Sequence, residues 1–133
     1  MISSVISCTS AGLLLLGGIA LLFAPDVLLT ALIAGFPRQA AWLGQLLGAA
    51  WLGVAALNWL QRSMVLGGIY GRPIVLTNLV LYFVSALSLL RALLGGEAPG
   101  AVWTMAVPAA VLAVAYGALL FRGPFDPMNR GPR

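Results

Sequence analysis

Four apolar stretches constrain this chain more than any other feature of its sequence. They run from Val5 to Phe23, from Ala40 to Leu60, from Ile74 to Leu94 and from Ala101 to Phe121. An α-helix rises about 1.5 Å per residue, so each stretch is long enough to cross a hydrocarbon core about 30 Å thick. The sequence therefore predicts an all-α integral membrane bundle of four transmembrane helices, with residues 1–121 as its transmembrane domain.

Composition agrees with a membrane environment. Hydrophobic residues make up 62% of the chain and charged residues 8%, whereas soluble domains are about 45–50% apolar and about 25% charged. The formal net charge of +4 comes from arginines at the ends of the apolar stretches, so there is no basic face that would collect phosphates. We therefore expect this chain to lie in the lipid bilayer and not to bind a nucleic acid. Cys8 is the only cysteine, which excludes an internal disulfide.

The first apolar stretch could also be read as a cleaved signal peptide. No basic residue precedes it, and it exceeds the usual apolar core of about 7–15 residues, so we interpret it as the first transmembrane helix. Pro25 ends it, and Asp26 is the predicted N-cap of a short helix from Val27 to Ala34, closed by Gly35. Eight residues span only about 12 Å. The prediction is a short interfacial helix between the first and second spans.

Small residues and an amide distinguish the second span. The candidate helix-packing residues are Gly44, Gln45, Gly48 and Gly53. Glycines let a neighbouring helix approach closely, and an amide in the membrane requires a hydrogen-bond partner that lipid tails cannot supply. This span therefore predicts close contacts with other helices.

Prolines and glycines mark the remaining boundaries. Residues 61–72 are predicted to form a loop, with Pro73 at the start of the third span because its missing N–H costs nothing there. Pro108 frees the Thr104 carbonyl and is predicted to kink the fourth span. Residues 122–133 form a basic, Pro-rich tail.

The arginines predict the orientation. With four spans, one side of the membrane carries five arginines, which are Arg62, Arg72, Arg122, Arg130 and Arg133. The other side carries Arg38 and Arg91. Because cytoplasmic segments are enriched in arginine, we predict a multi-pass protein of the bacterial inner (cytoplasmic) membrane with both termini and the tail cytoplasmic.

The sequence lacks the side chains that most membrane enzymes and coupled transporters use. There is no histidine to ligate haem or to serve as a base, and no carboxylate lies inside a span. No phosphate-binding glycine loop and no nucleophile beside a base is present. The sequence therefore predicts no catalytic residue, no metal site, no cofactor and no enzymatic activity.

Polar residues within the spans form a candidate pocket. Its members are Asn58, Asn78, Tyr82, Ser85 and Tyr116. Alternating span directions bring several polar groups into the cytoplasmic half, namely Ser7, Thr9, Ser10, Asn58, Thr77, Asn78 and Tyr116. Such groups either hold the helices together or line a pocket for a lipid, a quinone or another small amphiphile, and both interpretations stay open at this point.

Three features together resemble the small four-helix DoxX-like membrane proteins of bacteria. They are the end of the first span at Ala24, Pro25 and Asp26, the glycine-rich segment from Leu43 to Gly48, and Trp103 at the entry to the last span. The resemblance covers most of residues 10–121 and lies in hydropathy and glycine placement. It implies a four-helix fold and, for some members, a role as a subunit of a quinone-reducing complex, but it carries over no catalytic residue.

Two functions follow from these observations. The first is a non-catalytic accessory or scaffolding subunit that packs against other membrane proteins or against copies of itself. The alternative is a small membrane protein that binds or transports an amphiphile, a lipid or a quinone.

Overall fold

The protein is an all-helical bundle. The computed structural model describes residues 2–62 and 71–122. Its five α-helices are α1 (Ile2–Phe23), α2 (Pro25–Leu32), α3 (Ala41–Leu60), α4 (Gly71–Leu94) and α5 (Trp103–Arg122). Helices α1, α3, α4 and α5 are long and apolar enough to cross a membrane, which confirms the predicted fold class. Residues 63–70 of the predicted loop and residues 123–133 of the predicted tail lie outside the described residues.

Helix boundaries differ from the predicted ones by a few residues. Helix α4 begins at Gly71, so Pro73 is its third residue rather than its first. Helix α5 continues through Pro108 to Arg122. Short 3₁₀ turns at Arg38–Ala40 and Gly100–Val102 lead into α3 and α5.

The short helix α2 is present but is not capped by Asp26. Ala24 occupies the N-cap position without a side-chain hydrogen bond, and Asp26 lies inside the first turn. The proline ring holds φ near −65°, the helical value, so the helix begins at Pro25. It ends at Leu32, two residues before the predicted end, and Gly35 turns the chain with a φ of 73°.

The four long helices form two antiparallel pairs. Helix α1 packs along α3 and helix α4 along α5, whereas α1 and α5 make the smaller contact between the pairs. Gly18 faces Gly48 in the first pair, and Leu79 faces Gly117 in the second. We call the end of the bundle where α1 and α4 begin the proximal end, and the end where α3 and α5 begin the distal end.

Glycines allow the first pair and α2 to pack closely. A Cβ atom at Gly48 would lie 2.8 Å from the carbonyl oxygen of Gly18, and one at Gly44 would lie 2.8 Å from a methyl of Leu29 in α2. Gly53, predicted to pack with them, instead has no atom within 4 Å of such a Cβ. Five residues rotate a helix by about 140° relative to Gly48, which turns Gly53 to the outside.

Gln45 also lies at the surface of the bundle. Its side-chain amide donates a long hydrogen bond of 3.5 Å to the Leu22 carbonyl. Gln45 therefore adds little to the contact that Gly44 and Gly48 form.

Large apolar side chains point outward from every long helix, as lipid contact requires. Examples are Leu16, Leu60, Leu94, Val114 and Phe121. The core between the pairs contains Leu14, Ala55, Val75, Tyr82, Ala86, Ala109, Leu112, Ala113, Tyr116 and Leu119.

Candidate functional site

A buried cluster of polar side chains lies between the two helix pairs. We define the polar cluster as Ser10 of α1, Asn58 of α3, Asn78 and Tyr82 of α4, and Tyr116 of α5. The two asparagine amides pair reciprocally: the Nδ2 of Asn58 donates to the Oδ1 of Asn78 over 2.8 Å, and the Nδ2 of Asn78 donates to the Oδ1 of Asn58 over 2.7 Å. This pair joins α3 directly to α4.

Ser10 extends the amide pair to the first helix. Its hydroxyl accepts a hydrogen bond of 2.9 Å from the Nδ2 of Asn58 and lies 2.6 Å from the Tyr82 hydroxyl. The Nδ2 of Asn78 also donates a hydrogen bond of 2.9 Å to the Ile74 carbonyl of its own helix. Three of the four long helices are therefore connected by side-chain hydrogen bonds at one level.

Tyr116 brings α5 to the cluster through its ring. The rings of Tyr82 and Tyr116 stack with centroids 5.9 Å apart and an angle of 8° between their planes. Tyr116 is fully buried, yet its hydroxyl has no hydrogen-bond partner among the described residues. Its contribution to the cluster is therefore aromatic packing rather than a hydrogen bond.

The polar cluster fixes the relative position of the helix pairs. Interhelical hydrogen bonds in a membrane contribute about 0.6 kcal/mol on average and up to about 1.7 kcal/mol. The amide pair and its link to Ser10 therefore contribute about 2 kcal/mol together. The pairing also specifies depth, because a slip of one turn would leave both amides without partners.

On the distal side of the cluster the helix pairs separate and leave a cavity of about 390 Å³. Helices α1, α2, α4 and α5 supply its walls, and Trp51 of α3 contributes as well. The lining residues are Leu13, Leu14, Gly17, Ala20, Leu21, Leu28, Ala31, Leu32, Trp51, Leu81, Tyr82, Ser85, Leu89, Thr104, Met105, Pro108, Ala109 and Leu112. The distal cavity, as we call it, lies within the range of about 300–1,000 Å³ that is typical of ligand pockets.

Four side chains of the distal cavity have polar groups that can form hydrogen bonds, namely the hydroxyls of Tyr82, Ser85 and Thr104 and the indole N–H of Trp51. Tyr82 forms part of its wall while its hydroxyl lies beside Ser10 in the polar cluster. The Thr104 hydroxyl donates to the Ala101 carbonyl over 2.7 Å. The Ser85 hydroxyl makes no hydrogen bond with any described residue. No charged side chain is among the lining residues, so the cavity has the chemistry of a hydrocarbon-binding site and not of an acid–base site.

The predicted pocket residues thus fall into two places. Asn58, Asn78, Tyr82 and Tyr116 come together in the polar cluster, whereas Ser85 lies one turn further along α4 and faces the distal cavity. Thr77 lies outside both, because it is exposed and donates to the Pro73 carbonyl.

Sequence reasoning left Ser10 out of the predicted pocket and missed the distal cavity. The position of Ser10 at the same depth as Asn58 was the available signal. The cavity arises because two pairs that pack tightly within themselves separate at one end. Hydropathy does not record that separation, since lining residues such as Leu13 and Leu81 resemble those that face lipid.

Comparison with models of protein families, with curated proteins and with solved structures found no match. The resemblance to the DoxX-like proteins stays a prediction from the sequence.

Proposed function

We propose that this protein is a non-catalytic membrane protein that holds the hydrocarbon chain of a lipid, a quinone or another amphiphile in the distal cavity. The observation that supports the proposal is an apolar space of about 390 Å³ between transmembrane helices. Its occupant enters between the helices from the bilayer, since partly exposed lining residues such as Leu13 connect the cavity with the surface that faces lipid.

The distal cavity is open toward the surface that faces lipid. Its apolar lining would lose van der Waals contacts wherever the space stayed empty. Water does not fill an apolar space that offers it few hydrogen-bond partners. A hydrocarbon chain restores the lost van der Waals contacts, and the surrounding membrane supplies such chains at high concentration.

The test replaces Ala20, which lines the distal cavity, with phenylalanine. Ala20→Phe fills part of the space, so we expect the protein extracted in native lipid particles to retain about tenfold less of any specifically bound amphiphile by mass spectrometry. Ile19→Phe is the matched control, because Ile19 is the preceding residue, is 42% exposed and lies outside the lining. Equal retention by the two variants and the parent would argue against the proposal.

We propose as a second candidate that the protein is an accessory subunit that packs against other membrane proteins or itself through α3. Ala49, Gly53 and Ala56 give the outward side of α3 a surface of small residues, and a side chain added at Gly53 would meet open space. Small residues at this spacing allow another helix to approach closely.

The experiment for this candidate places a leucine at one of two outward glycines. Gly53→Leu should abolish co-migration with a partner on a native gel, whereas Gly12→Leu on α1, where a Cβ also meets open space, should not. A parent protein that migrates as a monomer, or a complex that survives Gly53→Leu, would reject this candidate.

We also propose that the bundle lies in the bacterial inner membrane with its proximal end cytoplasmic, on the basis of the arginine distribution. The native Cys8 is half-buried in α1 and is first replaced by alanine. In that background a cysteine at Ser63 should resist an impermeant label added outside intact cells, and one at Glu97 should react. The reverse pattern would invert the orientation.

A further inference from the structure

The distal cavity contains one hydroxyl donor without a partner among the described residues, and that donor limits the chemistry of a ligand. Tyr82 and Thr104 use their hydroxyls for Ser10 and for the Ala101 carbonyl. Thr30 and Thr77 also donate to carbonyls of their own helices. Ser85 lines the cavity as Thr104 does, but its hydroxyl makes no such bond within the described part of the chain.

Ser85 lies deep in the membrane. It is nine residues from the distal end of α4, which places it about 13 Å below that end and close to the middle of the helix. A phosphate or a carboxylate is strongly disfavoured at that depth unless a cation accompanies it, and no charged side chain lines the cavity. A charged headgroup is therefore excluded from the environment of Ser85.

A plain acyl chain would leave the Ser85 hydroxyl facing methylene groups. An uncharged oxygen at the same depth would accept its hydrogen bond, and only such a ligand would be favoured over the chains of the surrounding lipid, which are as apolar as the lining. The volume suits such a ligand, since 390 Å³ holds about a dozen groups the size of a water molecule or a methylene.

We propose that the ligand of the distal cavity is an uncharged amphiphile, a long chain with one hydroxyl or carbonyl oxygen, which enters with that oxygen leading and receives a hydrogen bond from Ser85. This inference rests on the proposed function and adds the chemical class of the ligand. Binding at Ser85 explains how the cavity distinguishes its ligand from bulk lipid by a single polar contact.

The test uses three photoactivatable probes with the same 16-carbon chain and a diazirine at mid-chain. They are a primary alcohol, an alkane and a carboxylate, each added to the full chain in lipid nanodiscs. We expect the alcohol to label the protein about three- to tenfold more than the alkane, the range that one neutral hydrogen bond supplies. The carboxylate should label no more than the alkane.

Variants separate this inference from the proposed function. Ser85→Ala should reduce labelling by the alcohol to the level of the alkane and leave labelling by the alkane unchanged. Ser88→Ala is the matched control, since Ser88 is on the same helix, exposed and outside the lining, and it should change nothing. Ala20→Phe should reduce labelling by all the probes that bind the parent.

The outcomes that contradict the inference are distinct. If the alcohol and the alkane label the parent equally and Ala20→Phe reduces labelling by both, the role of Ser85 is overturned and the proposed function stays intact. A preference for the alcohol that survives Ser85→Ala, or a preference for the carboxylate, would overturn the inference as well. If Ala20→Phe reduces labelling by none of the probes, the proposed function itself is overturned.

Discussion

The proximal and distal halves of the gap between the helix pairs are built in opposite ways. In the proximal half, Ser10, Asn58, Asn78 and Tyr82 fill the gap with hydrogen bonds of 2.6–2.9 Å. In the distal half, the same pairs separate around a space of about 390 Å³ lined almost entirely by apolar side chains. The polar half therefore holds the pairs at one register, and the apolar half is open to a ligand.

The difference shows how a small bundle can fix the relative position of its helix pairs and still leave a cavity between them. A cavity weakens the packing around it, so the pairs need a strong contact elsewhere. The amide pair supplies that contact, and water does not compete for its hydrogen bonds because both side chains are fully buried. Tyr82 belongs to both halves, because its ring lines the cavity while its hydroxyl joins the cluster.

The largest effect is expected from Gly48→Leu, which disturbs both halves at once. The new side chain meets the backbone of α1 at the Gly18 carbonyl, and backbone cannot move aside as a side chain can. Separation of α1 from α3 moves Ser10 away from Asn58 and widens the cavity. We expect a loss of about 3 kcal/mol in the free energy of unfolding, measured by titration with a denaturing detergent.

Gly12→Leu is the matched control for this change, since a Cβ at Gly12 meets no atom within 4 Å. It should leave the free energy of unfolding within about 0.5 kcal/mol of the parent. Equal losses in the two variants would mean that Gly48 is not in a tight helix contact.

Asn58→Leu disrupts the polar cluster in the proximal half and leaves the lining of the distal cavity unchanged. It removes the hydrogen bonds to Ser10 and Asn78 and leaves the Asn78 amide buried without its partner, so we expect a loss of about 2 kcal/mol. The double variant Asn58→Leu with Asn78→Leu should lose less than the sum of the single variants, because the second change removes the orphaned amide. Strictly additive losses would contradict the reciprocal pairing.

The smallest effect concerns the two stacked tyrosines. Tyr82→Phe removes a hydroxyl that lies 2.6 Å from Ser10 and should cost about 1 kcal/mol. Tyr116→Phe removes a buried hydroxyl that has no partner among the described residues and should cost nothing or slightly stabilise the protein. A larger loss for Tyr116→Phe than for Tyr82→Phe in the same unfolding assay would contradict this assignment.

The sequence predicted the parts of this fold that depend on hydropathy and turn residues. Apolar length specified four spans, and Pro25 with Gly35 delimited a short helix. Asn58 and Asn78 were placed in the same half of the membrane, because alternating spans make depth a property of position in the chain, and the structure pairs their amides. The rotation of each helix about its axis was not predicted. That rotation turns Gly53 outward and opens the distal cavity, and it depends on which helices pair. Ser85 is separated from the amides along the axis of α4, because it lies about 10 Å from Asn78 on the same face.

The Asn58–Asn78 pair also has a consequence for biosynthesis. Helices α1 to α3 leave the ribosome first, and until α4 follows, the carbonyl of the Asn58 side chain lacks the partner that it has in the finished bundle. A chain that stops after α3 therefore keeps the hydrogen bond from Asn58 to Ser10 but leaves the side-chain carbonyl of Asn58 without this partner, which disfavours the truncated product in the membrane. When α1–α3 and α4–α5 are produced as two separate polypeptides, the hydrogen bonds between Asn58 and Asn78 should favour their assembly with each other.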